Sequence, residues 1–190
     1  MTLSTSLRLS RLAAAAALGM VLAVQAAVAQ PAAGITEQHK WLKTGVGTWD
    51  ATVKVWYAPN AAPITSQGRE TGELLPGGLW LISRFEGDIA GMPYAGAGIW
   101  GYDPTEKKYV GTTVDSMTPH IMTTKGDYDP DTKTMTTTAE GRDPITGKPV
   151  HFKMTTQFPD DNTRLFEMNV VGDDGKLWKM MEIKYTRAAE

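Results

Sequence analysis

From Trp49 to the carboxyl end, apolar and polar side chains alternate with a period of two, the mark of strands with one buried face. Trp49, Ala51, Val53, Val55 and Tyr57 fall on one side of the first such run, and Asp50, Thr52, Lys54 and Trp56 on the other. The same reading predicts strands over residues 66–75, 78–88, 94–102, 107–116, 120–128, 133–140, 149–158, 163–171 and 176–187, ten in all with 49–57. Threonine suits such half-buried pleated positions and recurs in them, as at Thr134, Thr136, Thr137 and Thr138. A helical stretch precedes the strands. Thr36 caps a turn from Glu37 to Lys43, Trp41 and Leu42 fold back onto the strands beyond it, and Gly45 and Gly47 end it.

The connections are too short for crossover helices. Asp103-Pro104-Thr105-Glu106, Asp129-Pro130-Asp131-Thr132 and Asp143-Pro144-Ile145-Thr146 are turns in which proline presets φ and the aspartate accepts backbone N–H bonds. Pro159-Asp160-Asp161-Asn162 and Gly172-Asp173-Asp174-Gly175 close two more hairpins. Neighbouring strands are therefore antiparallel. An open meander would expose two edges, and closure into a barrel removes them. The expected fold is all-β: a single antiparallel up-and-down β-barrel of about ten strands with a short N-terminal helix. A two-sheet sandwich is the other solution to the same pattern.

The first 29 residues stand apart from this scheme. Arg8 and Arg11 precede an apolar run over residues 12–24, and Ala27-Val28-Ala29 is a small-x-small cleavage site before Gln30. The run is shorter than the roughly 20 residues of a membrane span, and no second one comes after it. A Sec-type signal peptide over 1–29, a domain over 30–190, and a periplasmic or secreted location are expected. Removing the leader takes two basic residues from 19 and leaves 17 against 21 acidic, a net charge of −4. That balance argues against a nucleic-acid partner. The absence of cysteine excludes a disulfide framework, a thiolate metal site and a nucleophilic thiol.

Gly47-Thr48-Trp49, after a short helix and opening the first strand, resembles the Gly-x-Trp signature of the calycin group, meaning lipocalins, fatty-acid-binding proteins and their relatives. The resemblance implies that Arg187, which ends the last strand, covers the Trp49 indole and seals one barrel end, a contact worth about 1–2 kcal/mol when partly desolvated. A longer pattern is similar, from end to end, to that of a bacterial family of lipocalin-like domains of unknown function. It comprises His39-x-x-Leu42, Gly47-Thr48-Trp49-Asp50, Gly91-Met92-Pro93-Tyr94-x-Gly96-x-Gly98, Gly101-Tyr102-Asp103, Lys108-Tyr109-Val110, Asp115-Ser116-Met117, Gly126-x-Tyr128-Asp129 and Tyr185-Thr186-Arg187. That likeness implies a fold and a compartment, and no reaction or ligand.

Few residues carry chemistry. His39, His120 and His151 lack metal-ligand spacing, and neither a metal nor a cofactor is expected. In strand phase His120 shares a face with Met122, Thr124 and Tyr128, His151 faces solvent, and His39 caps or packs beneath the barrel. Asp115 interrupts a strand, so it either pairs with Arg84 or His120 as an acid–base group or binds backbone N–H groups at a strand end. Gly91, Gly96, Gly98 and Gly101 surround Tyr94 and Trp100. No Gly-Lys-Ser/Thr is found after them, so they read as a bend or a place of close approach, not a phosphate loop. Asp127, Asp129 and Asp131 have Thr132 where a calcium loop needs glycine, and read as a hairpin turn.

Met122, Met135, Met154, Met168 and Met181 fall on inward rows with Phe152, Phe158, Phe166, Ile183 and Tyr185. They read either as a filled core or as the soft lining of a pocket for a small, mainly hydrophobic ligand. The candidate pocket residues are Arg84, Tyr94, Trp100, Asp115, His120, Met122, Met154 and Phe166, with Trp49 and Arg187 as structural closure. The leading expectation is a non-enzymatic binding protein. The alternatives are a small isomerase or hydratase using Asp115, His120 and Arg84, a haem-binding barrel using His120, and an interaction module using Trp56, Trp80 or Trp178 on the outer wall.

Overall fold

The computed structural model describes residues 34–142 and 148–189. The expected leader and the Asp143 to Thr146 turn lie outside them. A five-residue helix α1 (Glu37–Trp41) runs into a 3₁₀ turn over Leu42–Gly45. Ten strands come next: β1 (Gly47–Val55), β2 (Ile64–Leu74), β3 (Trp80–Ile89), β4 (Met92–Asp103), β5 (Lys108–Asp115), β6 (Met122–Asp129), β7 (Thr134–Arg142), β8 (Pro149–Asp160), β9 (Thr163–Val171) and β10 (Leu177–Arg187). Each pairs antiparallel with the next, and β1 pairs with β10, so the sheet closes into a barrel and the sandwich alternative falls away.

The turn residues account for the antiparallel order. Asp103 Oδ1 accepts the N–H groups of Thr105 at 2.8 Å and Glu106 at 3.1 Å. Asp129 uses one oxygen for Asp131 N–H at 2.9 Å and the other for the Thr132 hydroxyl at 2.9 Å, which makes the acidic run a hairpin turn. Between β3 and β4 the chain reverses in two residues, Ala90 at φ 55° and Gly91 at φ 83°. Positive φ at both central positions matches the right-handed twist of the flanking strands. These strands therefore run closer to the turn than the Met92-Pro93 pair suggested.

Residues directly opposite each other in a ladder point to the same face. Starting from Trp49, Ala51, Val53 and Val55, all buried, the register carries the inward face around the ring. It meets Leu81, Phe85 and Ile89 on β3, and Ile183 and Tyr185 on β10, most of which join one core cluster with the β1 row. Tyr57 and His120 depart from the expected alternation at strand ends. Tyr57 lies beyond the end of β1 and is exposed, and His120 lies in the loop before β6 instead of on its inward row.

The ring is locked where β1 begins and β10 ends. Trp49 is fully buried, and its indole N–H donates to the Gly45 carbonyl at 3.3 Å. The Arg187 guanidinium lies 4.1 Å from the indole centroid and donates to the Val46 carbonyl at 2.7 Å and the Asp161 carbonyl at 3.0 Å. Gly47 sits at φ 113°, and a Cβ there would stand 2.6 Å from Arg187 Nη1, so only glycine fits both demands. Helix α1 covers this end. Leu42 and His39 are buried, His39 Nδ1 meets the Thr36 hydroxyl at 2.8 Å, and Trp41 packs on Tyr109, Tyr128 and Phe158 at centroid separations of 5.1, 5.0 and 5.5 Å.

Replacing Arg187 by methionine removes a stacked charge and uncovers two carbonyls. The expected loss is about 2–3 kcal/mol in urea unfolding. Arg187→Lys restores only part of it, because one ammonium cannot cover the ring and reach both carbonyls. Unchanged stability in Arg187→Met would mean that this contact does not lock the ring.

Candidate functional site in the barrel lumen

The inward row places the apolar residues where the alternation predicted. Tyr94, Trp100, Met122, Met154 and Phe166 all face the lumen by register, together with Met135, Met168 and Met181. Glycines opposite them let aromatic rings lie against the wall. Trp100 covers Gly98 and Gly111 and donates its indole N–H to the Ser83 hydroxyl at 3.1 Å, Phe85 covers Gly68, Tyr94 folds over Gly96 and Phe152 covers Gly141. Rings held against the wall in this way intrude less on the interior. Accordingly Thr113, Thr137, Thr156, Phe166 and Met168 keep part of their surface accessible although they point inward.

The polar floor of the lumen was not foreseen from the sequence. Arg164 on β9 is buried and donates from Nη2 to Glu70 Oε1 at 2.7 Å. Its guanidinium carbon lies 3.7 Å from the Tyr185 ring centroid and 5.0 Å from that of Trp49. The Tyr185 hydroxyl reaches Glu70 Oε2 at 3.4 Å. Arg164 Nε has no partner, nor have Ser66 Oγ and Thr124 Oγ1, and all three belong to inward-facing residues. The signal for Arg164 was present: it shares a phase with Phe166, Met168 and Val170. Glu70 gave no signal, because no apolar residue between Ile64 and Leu74 sets the phase of β2.

The remaining candidates lie at the rim or outside the barrel, Asp115 ending β5 on the inward row opposite Gly96. Arg84 is on the outer face and pairs with Glu73 at 3.0 Å. Asp115 accepts the N–H groups of Met117 and Thr118, each at 2.8 Å, which is the strand-end role. His120 is exposed in the rim loop, so the structure does not assemble an Asp115, His120 and Arg84 constellation. Trp178, expected on the outer wall, pairs with Val170 on the inward row, whereas Trp80 is on the outer wall over Gly101. His151 faces solvent with Glu140 Oε1 at 3.5 Å. Outside the barrel run two grooves, about 740 Å³ over β4 to β9 beside Trp80 and Ile99, and about 290 Å³ beside Arg84, Ala97 and Val114. Among the described residues no cluster of metal-ligating side chains occurs.

Burial pushes the Tyr94 phenol up to about 12, aided by the Asp115 carboxylate, and the Tyr109 phenol up to about 12, aided by Tyr102 and Tyr128. Tyr185 is raised further by burial and by Glu70, against a smaller opposing pull from Arg164. An unfolded tyrosine ionises near 10.0, so stability is intact below that pH and is lost as pH rises from there toward 12. At pH 11, absorbance at 295 nm should show at most three of the six tyrosines ionised in the native chain and all six in denaturant. Six phenolates in the folded protein would contradict this burial. A second outcome tests the floor. Arg164→Met strands Glu70 and is expected to cost about 3 kcal/mol in urea unfolding, most of it restored by adding Glu70→Leu.

The solved structure of Rv2717c from M. tuberculosis is similar in fold, with a TM-score of 0.59 at 12% identity, 82% of this chain and 99% of that chain being covered. The S-type phycobiliprotein lyase CPES from Guillardia theta is similar at a TM-score of 0.51 and 11% identity, with 80% and 92% covered. At these identities the likeness is one of fold, a lipocalin-like closed barrel. No curated protein matches the chain. The model of a family described as "Protein of unknown function (DUF1579)" matches residues 35–187, the whole barrel with its helix, and the chain belongs to that family.

Proposed function

We propose that this chain is a periplasmic or secreted binding protein that holds a small, mainly apolar molecule in the barrel lumen. One observation carries the reading: inward-pointing residues in the middle of strands, Thr137, Thr156 and Phe166 among them, retain accessible surface inside a closed ring. A solidly packed barrel would bury them. Soft methionines and flat aromatic rings suit an apolar body of variable shape. Arg164 Nε, Ser66 Oγ and Thr124 Oγ1 lie beneath that surface without partners, and each buried group left so costs about 1–3 kcal/mol. The CPES neighbour, similar in fold, is named as a phycobiliprotein lyase. The location rests on the charged, apolar and small-residue order of residues 1–29.

The catalytic and haem alternatives both need His120 on the inner wall, and its place in the rim loop weakens them. Native mass spectrometry of gently purified protein is expected to show a companion mass released on denaturation. A bare polypeptide under all growth conditions would count against the proposal. With 1-anilinonaphthalene-8-sulfonate as probe, Thr137→Trp should fill the lumen and weaken binding at least about tenfold, or 1.4 kcal/mol, without loss of fold by circular dichroism.

A further inference from the structure

The two ends of the barrel differ in chemistry, and the difference has a direction. β1, β3, β5, β7 and β9 run away from helix α1, so their last residues and the first residues of the strands after them form the far rim. The helix end is acidic: its turns carry Asp103, Glu106, Asp129, Asp131, Asp160 and Asp161 against Lys107 and Lys133. The far rim is apolar over the arc from β10 through β1 to β6, whereas its β9–β10 turn carries Asp173, Asp174 and Lys176. Tyr57 and Ile64 flank the β1–β2 loop, Met92 the β3–β4 turn, Met117 and Ile121 the β5–β6 loop, and Leu177 opens β10. These six are each 42–66% exposed and make up over half of the exposed large hydrophobic residues among those described.

The geometry points to the far rim as a surface that docks on a lipid bilayer by inserting its loop tips. Three features favour lipid over a folded partner. The apolar side chains stand on separate tips around an opening, where a rigid protein face would meet few of them at once, while acyl chains can close around each. The β1–β2 and β5–β6 connections, residues 56–63 and 116–121, contain no carboxylate that would have to be desolvated. Of the nearest carboxylates, Asp88 accepts the Gly91 N–H at 2.7 Å, Asp115 accepts those of Met117 and Thr118, and Asp174 pairs with Lys176 at 3.0 Å, while Asp173 is exposed on the β9–β10 turn, outside the inserting arc. The charge asymmetry then sets the orientation, with the acidic helix end turned to water. Insertion driven by apolar tips predicts binding to uncharged headgroups and little dependence on salt.

The test uses a chain beginning at Gln30, which keeps the compact unit Ile35–Glu190 without the apolar leader, and co-sedimentation with phosphatidylcholine vesicles. The wild type is expected to sediment with the vesicles, and its partition should change less than about twofold between low and high salt. Met117→Asp with Ile121→Asp should lower partition at least about tenfold. Leu75→Asp, an equally exposed apolar position at the helix end, should leave it unchanged. The proposal is overturned if the wild type stays in the supernatant, if the double variant partitions like wild type, or if Leu75→Asp lowers partition as much. None of these readouts needs an occupied lumen, so an empty barrel that binds vesicles would refute the ligand reading alone.

Discussion

Pairing of β1 with β10 is the constraint on which the molecule depends. Without it the meander has two free edges, and nothing separates an inside from an outside. The Trp49 indole and the Arg187 guanidinium hold that seam at its helix end, and the backbone carbonyls of Val46 and Asp161 fix the guanidinium in plane. Because side chains alternate with a period of two, this one register decides which half of every strand faces inward. A slip of one residue at the seam would send Trp49, Ala51, Val53 and Val55 to solvent and bring Asp50 and Lys54 inside. The burial of the β1 row is therefore the device that assigns every other face.

The same register logic explains which features were legible in the chain. Strands whose neighbours alternate cleanly, such as β1, β9 and β10, announced their inner faces, and turns built on Asp103, Asp129 and Asp160 announced the antiparallel order. The closure contact was legible through Gly47-Thr48-Trp49 and Arg187 together. β2 was silent, since Ser66, Gly68, Glu70 and Gly72 on one side are no more apolar than Gln67, Arg69, Thr71 and Glu73 on the other. Its phase comes only from pairing with its neighbours β1 and β3, and with it comes half of the buried ion pair. His120 failed for a related reason: Pro119 and the Asp115 turn delay the start of β6 to Met122, a boundary that periodicity alone does not locate.

Arg164 and Glu70 raise a question of energy. Taking both charges out of water costs several kcal/mol per ion, and one hydrogen bond of 2.7 Å does not by itself compensate. The rings of Tyr185 and Trp49 supply part of the difference, since a desolvated guanidinium over an aromatic face gains more than an exposed one. Even so the Nε donor is left over. A core selected only for stability would place an apolar residue at Arg164, in phase with Phe166 and Met168. Retaining the pair makes sense where the floor of the lumen must present polarity to a guest, or where it fixes the β9–β10 register beside the closure contact.

The glycines bear on how that floor is reached. In many strands a glycine weakens the sheet, having no side chain to pack. Here Gly68, Gly96, Gly98, Gly111 and Gly141 each lie under an aromatic ring that would otherwise stand up into the lumen. Backbone surface is exchanged for ring surface, and the ring's thickness, not its length, then sets how far the wall intrudes. The same device operates on the outer wall, where Trp80 lies on Gly101. Flattened rings thus widen the lumen without adding strands, and they do so between the apolar far rim and the Arg164 floor. A guest entering from the rim would pass methionine and aromatic surface before it met charge, an order that favours molecules with a long apolar part and one polar end.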